Sequence, residues 1–67
     1  MAKQPYVKLE PTEGVITQVA GQIYAAYIAT GKVKDGAEDE WIARSIREAI
    51  RIARTVDDTI QADKEIG

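Results

Sequence analysis

The chain contains neither cysteine nor histidine, and these two absences exclude several kinds of structure and chemistry. Disulfide bonds cannot form, and neither can a zinc site built on thiolate or imidazole ligands. The usual general base and the thiol nucleophile are also missing from any catalytic site. We therefore expect a protein that is not an enzyme and that uses no metal or other cofactor.

The remaining candidates for catalysis are weak. Ser45 is the only serine, and it falls in the middle of a predicted helix, where we expect a structural residue on the surface. The acidic residues of the segment 38–40 are typical of a helix start, because carboxylates favour that end of the helix dipole. Asp57 and Asp58 are adjacent, so their side chains diverge on a helix. The sequence therefore predicts no catalytic or metal-binding residues.

The chain has only 67 residues, which allows one domain at most. A chain this short buries about 60% of the surface that its unfolded form exposes, so its core is marginal without added support. Since disulfides and zinc sites are excluded, self-association is the remaining way to stabilise such a core. The net charge of −2 gives no general attraction to nucleic acid or to anionic lipid. The first residues, MAKQPYVKLEP, carry three charged side chains and contain no apolar run of the signal-peptide kind, and we expect a cytoplasmic protein that does not bind membranes.

The first eleven residues differ from the rest of the chain. This arm, residues 1–11, is bounded by Pro5 and Pro11. Val7 and Leu9 alternate with polar neighbours, so the arm could pair as a short strand or run extended over a neighbour. We expect it to be extended.

From Thr12 onward the apolar spacing becomes helical and predicts a hairpin over residues 12–63. The first stripe predicts helix 1 at about 12–30 and consists of Thr12, Ile16, Val19, Ile23, Ala26 and Thr30. Thr12 is placed as the N-cap, and Gly31 as the left-handed residue that ends the helix. The second stripe predicts helix 2 at about 36–62 and consists of Ile42, Ile46, Ala49, Ala53, Val56 and Ile60. Asp35 and Glu38 have capping-box spacing, and residues 64–67 are expected to fray.

Helix 1 carries no charged side chain between Gly14 and Gly31. A helix that is uncharged all round is usually interior, yet Gln18 and Gln22 make this one poorly suited to a membrane. We therefore expect helix 1 to pack on helix 2 through one face and on another subunit through the other. The predicted fold is an all-α antiparallel two-helix hairpin with an extended arm, which forms a homodimeric four-helix bundle or a higher oligomer.

The residues predicted to form the oligomer interface come from both helices. They are Ile16, Val19, Gly21, Ile23, Ala25, Tyr27, Ile42, Ile46, Ala53 and Val56. Trp41 with Ile52, and Tyr24 with Ile28, lie on the flanks of the two stripes. These flanks are either a docking patch for a partner or the edge of the same interface, and we favour the interface edge.

A row of arginines, Arg44, Arg47, Arg51 and Arg54, steps by three and four residues along helix 2. Such a row could meet phosphates, with Lys3 and Lys8 assisting. Its i,i+4 spacing from Glu40, Glu48 and Asp58 favours a solvated face with ion pairs instead. The leading prediction is therefore a small non-enzymatic interaction or assembly module whose partners are other copies of itself and an unidentified protein. The alternative is a regulator that binds DNA or RNA through the arginine row.

Overall fold

Two α-helices joined by a short turn make up the described part of the chain, residues 11–66 of a computed structural model. Helix α1 spans Pro11–Ala29, and helix α2 spans Glu38–Ile66. Tyr27, late in α1, contacts Trp41, early in α2, whereas Val15 and Val56 share a groove at the other end. The helices are therefore antiparallel, and the all-α hairpin is confirmed for these residues. Residues 1–10 of the predicted arm lie outside the described residues, and Pro11 belongs to α1.

Helix α1 starts one residue earlier than the sequence pattern predicted. Pro11 occupies the first turn, where its fixed φ fits a helix and its missing N–H costs nothing. Thr12 therefore lies inside the first turn and not at the cap. The other end follows the prediction: Gly31 is left-handed, with φ of 76°. Its N–H donates to the Ile28 carbonyl, and the Lys32 N–H donates to the Tyr27 carbonyl, which is the hydrogen-bond pattern of a Schellman motif.

Helix α2 begins at Glu38, two residues later than expected. The left-handed Gly36, with φ of 90°, turns the chain just before it. The Gly36 N–H donates to Glu38 Oε1 at 2.9 Å, so Glu38 closes the turn without Asp35 acting as the predicted cap. Helix α2 then continues to Ile66, through most of the segment expected to fray, because no glycine or proline interrupts it. With 29 residues against 19 in α1, it is longer by about 15 Å.

The contact between the helices is made by small side chains. Ala20 of α1 is 6% exposed, and Ser45 and Ala49 of α2 are each 1% exposed. The Ser45 hydroxyl donates to the Trp41 carbonyl at 2.8 Å, so burial leaves it with a hydrogen-bond partner. The prediction of a surface serine was wrong, because a small residue is needed where the two helices come closest. Only Ala49 of the predicted α2 stripe lies fully in this seam.

The large aliphatic side chains lie beside the seam and remain exposed. Among the described residues, those at least 36% exposed are Val15, Ile28, Ile42, Ile46, Ile50, Ile52, Val56 and Ile60. No large apolar side chain between residues 11 and 62 is fully buried. In this same part of the chain, neither helix has the combination of length and apolar character that crossing a membrane requires.

The close contact at Ala49 predicts that Ala49→Leu destabilises the fold. A leucine at this position has no room between the helices, and overpacking of this kind costs about 1–3 kcal/mol of unfolding free energy. We expect thermal or urea unfolding, followed by circular dichroism at fixed protein concentration, to show that loss. Ala43→Leu is the matched control, because Ala43 is exposed on the same helix. Equal stability of the two variants would contradict a close helix contact at Ala49.

Candidate functional site

A groove lined by both described helices lies along one side of the seam. This groove A has a volume of about 510 Å³. Its lining includes Ile16, Gly21 and Tyr24 from α1 and Ile42, Ile46 and Ile50 from α2. Glu13, at one end, is the charged residue in the lining, so the middle of groove A presents an uncharged, mainly aliphatic surface.

A second groove lies on the opposite side of the seam, toward the far end of α2. This groove B has a volume of about 360 Å³ and is formed by Val15 and Val19 with Ile52, Val56 and Ile60. Asp57 adds one carboxylate to its wall. Because α2 is the longer helix, part of the apolar surface of groove B has little of α1 opposite it. The hairpin thus has an open apolar groove on each side.

The residues predicted for an oligomer interface divide among these surfaces. Groove A contains Gly21, Ile42 and Ile46; groove B contains Val19, Ala53 and Val56; and Ile16 lines both. Ile23 and Tyr27 are half-buried, and Ala25 is exposed on α1. Ile50 of groove A was absent from the prediction, although its four-residue step from Ile46 marks it. Val15 and Ile60 of groove B were also absent from the predicted interface, whereas Ile52 was predicted at its edge.

A cluster of four side chains joins the helices near the turn. The Tyr27 and Trp41 rings lie 4.7 Å apart between centroids and are tilted by 58°. The Arg44 guanidinium lies 5.1 Å from the centre of the Trp41 ring, and Arg44 Nε is 3.6 Å from Glu48 Oε2. The Tyr27 hydroxyl donates to Glu48 Oε1 at 2.6 Å. Trp41, predicted to form part of an exposed or intersubunit flank, is thus already packed within its own chain.

The arginine row is changed by this cluster. Arg44 pairs with Glu48 as predicted, but in the described part of the chain the other predicted pairs, with Glu40 and between Arg54 and Asp58, do not form. Arg47, Arg51 and Arg54 are exposed. Three arginines of the row are therefore without an ion pair in the described part of the chain, and Lys3 and Lys8 lie outside that part.

Neither a metal site nor a similar known protein indicates the function. Within the described residues, no group of acidic side chains comes close enough together to hold a metal ion. Comparison of the chain with protein-family models, curated proteins and solved structures found no match. The candidate function therefore depends on the two grooves and on the charged face of α2.

The Tyr27 hydroxyl provides a test of the cluster. Its hydrogen bond to Glu48 raises the pKa of Tyr27 above the ordinary value of 10.0, and desolvation and the Glu48 charge act in the same direction, while Arg44 opposes them. A pKa raised by folding means that this contact stabilises the fold below about pH 10 and is lost as the pH rises through the folded-state pKa.

We expect the tyrosinate absorbance of the natural chain, minus that of Tyr27→Phe, to titrate with a midpoint above pH 10. Glu48→Ala should lower this midpoint, because it removes the acceptor and its charge. A Tyr27 midpoint at or below pH 10 in the natural chain would contradict the hydrogen bond.

Proposed function

We propose that this protein is a small, non-enzymatic assembly module that binds copies of itself through the apolar surfaces beside the helix seam. The observation that carries the proposal is the exposure of eight large aliphatic side chains, while the buried residues between positions 11 and 62 are Ala20, Ser45 and Ala49. A hairpin of this kind has its apolar groups arranged for burial but does not bury them alone.

The energetic argument concerns the aliphatic side chains that are about half exposed. Full burial of a valine or isoleucine is worth about 1.5–3 kcal/mol, so covering the exposed half of each contributes about 1 kcal/mol. A single seam between two helices does not offset the conformational entropy of ordering the chain, which is about 1.5 kcal/mol per residue. A second hairpin supplies the missing apolar contact, and two hairpins make a four-helix bundle.

The charges support the same assignment of surfaces. The exposed arginines of α2 line neither groove. Helix α1 has no charge between Gly14 and Gly31. Pairing through the apolar side therefore buries few charges, which avoids their desolvation cost. The charged face of α2 stays in solvent, where it can meet a further protein partner.

The direct test is the mass of the natural chain in solution. We expect sedimentation equilibrium at micromolar concentration to give at least twice the 7.4 kDa of one chain, with helix content that falls on dilution. A folded monomer of 7.4 kDa at this concentration would contradict the proposal.

Ala25→Glu tests the uncharged face of α1. Ala25 is exposed in the single hairpin, so a glutamate there meets solvent unless another copy covers it. If α1 is central in the assembly, the buried charge should dissociate the oligomer and lower the helix content with it. Ala43→Glu, which adds the same charge beside the arginine row of α2, should leave the oligomer intact. A stable helical monomer from Ala25→Glu would show that folding does not require assembly.

A second candidate function is nucleic-acid binding through the exposed Arg47, Arg51 and Arg54. Their spacing by four and three residues places them on one side of α2, and they form no ion pair within the described residues. Over residues 40–58, however, four arginines are balanced by four acidic residues. This balance is why self-association is the leading proposal.

Arg47→Glu combined with Arg51→Glu distinguishes the two functions. If the row binds phosphates, the natural chain should bind DNA or RNA with an affinity that falls steeply with salt, and the double variant should lose binding while it keeps its fold. If the row only faces solvent, the double variant should lose at most about 1 kcal/mol of stability. Absence of binding to duplex and single strands at low salt would remove this candidate.

A further inference from the structure

We infer that groove A is the surface on which a second copy of the chain sits, with Ile46 of each copy lying over Gly21 of the other across a twofold axis. This inference rests on the self-association proposed above and names the surface that carries it. Groove B lies outside this contact.

The chemistry of groove A selects an uncharged helical occupant. Glu13 and Ile50 lie at the end of the groove away from the turn, and beyond Glu13 no charged side chain lines it. A charged helix face laid there would lose its hydration without gaining a counter-charge. The Ile42, Ile46 and Ile50 side of α2 has the required character, because its members are apolar and remain 40%, 40% and 36% exposed.

The shapes of the two surfaces also correspond. Residues at steps of four form a ridge along a helix, and two such ridges interdigitate in the commonest class of helix packing. Ile42, Ile46 and Ile50 are such a ridge. On α1, Thr17 and Gly21 lie four residues apart in the lining of the same groove. A Cβ atom at Gly21 would meet nothing within 4 Å in the single hairpin, so the surface of the groove is open at this glycine.

The ridge and the open space are on the same side of one hairpin. A twofold axis therefore lets each copy insert its ridge into the groove of the other, so that both contacts form at once and the assembly closes. Pairing through the charged side of α2 would lack this match, since it brings arginines and carboxylates together without a groove. The second copy is thus the occupant that satisfies both the charge and the spacing of groove A.

Gly21→Leu tests the contact without damaging the hairpin. Gly21 is exposed, a Cβ there meets nothing within 4 Å, and leucine is a better helix former than glycine, so the helical circular dichroism of the folded chain should be kept at high concentration. The substitution should weaken dimer formation by about 10- to 100-fold, the range that overpacking of a close contact produces. Dimerisation as tight as that of the natural chain would overturn the inference.

Two charge variants compare the grooves directly. Ile46→Glu places a carboxylate in groove A, and Val56→Glu places one in groove B, at positions 40% and 51% exposed. We expect sedimentation to show at least a tenfold loss of dimer affinity for Ile46→Glu and less than about a threefold change for Val56→Glu. The opposite order would assign the contact to groove B and overturn this inference while self-association stood. A monomeric natural chain would overturn both proposals.

Cross-linking gives the register, because the natural chain has no cysteine. A mixture of Gly21→Cys and Ile46→Cys chains, oxidised after exchange of subunits, should form a disulfide-linked mixed dimer, since the two Cα atoms must lie within about 7 Å. Gly21→Cys mixed with Val56→Cys is the control and should remain uncross-linked. Efficient cross-linking of the control alone would overturn the proposed register.

Discussion

Two helices come close together only where small side chains meet, and in this hairpin they meet at Ala20, Ser45 and Ala49. The close seam has a direct consequence for the larger residues. Isoleucines and valines, which would fill the centre of a bigger domain, lie instead on both sides of the contact between the helices. The two open grooves follow from the small size of the three residues between them.

The two ends of the hairpin are stabilised differently. Near the turn, the Schellman motif at Gly31 and the cluster around Trp41 hold the helices together through backbone, aromatic and charged contacts. Toward the other end, α2 extends beyond α1, and residues 51–62 are all exposed. The polar contacts thus tie down the closed end, whereas the apolar surface accumulates along the open grooves.

The cluster near the turn also shows why charged residues cannot be assigned from spacing alone. Arg44 has the same spacing as the other arginines of its row, but it lies beside Trp41 and Glu48 and is partly used within the chain. Ser45 was likewise expected on the surface, from its place in the middle of a predicted helix. Its hydroxyl bonds to its own helix, and its small size suits the seam.

The sequence by itself determined the two helices, their order and the turn between them, because helical periodicity and a left-handed glycine are local properties of the chain. It also indicated which side chains are apolar and that α1 lacks charge. Only the tertiary structure decided which of those side chains touch. The orientation of α2 about its own axis places Ser45 in the seam. The same orientation leaves Ile42, Ile46 and Ile50 exposed beside it. Hydrophobic burial favours large side chains between the helices, whereas a close helix contact favours small ones. The outcome depends on the distance between the two helices, and local sequence patterns do not specify that distance.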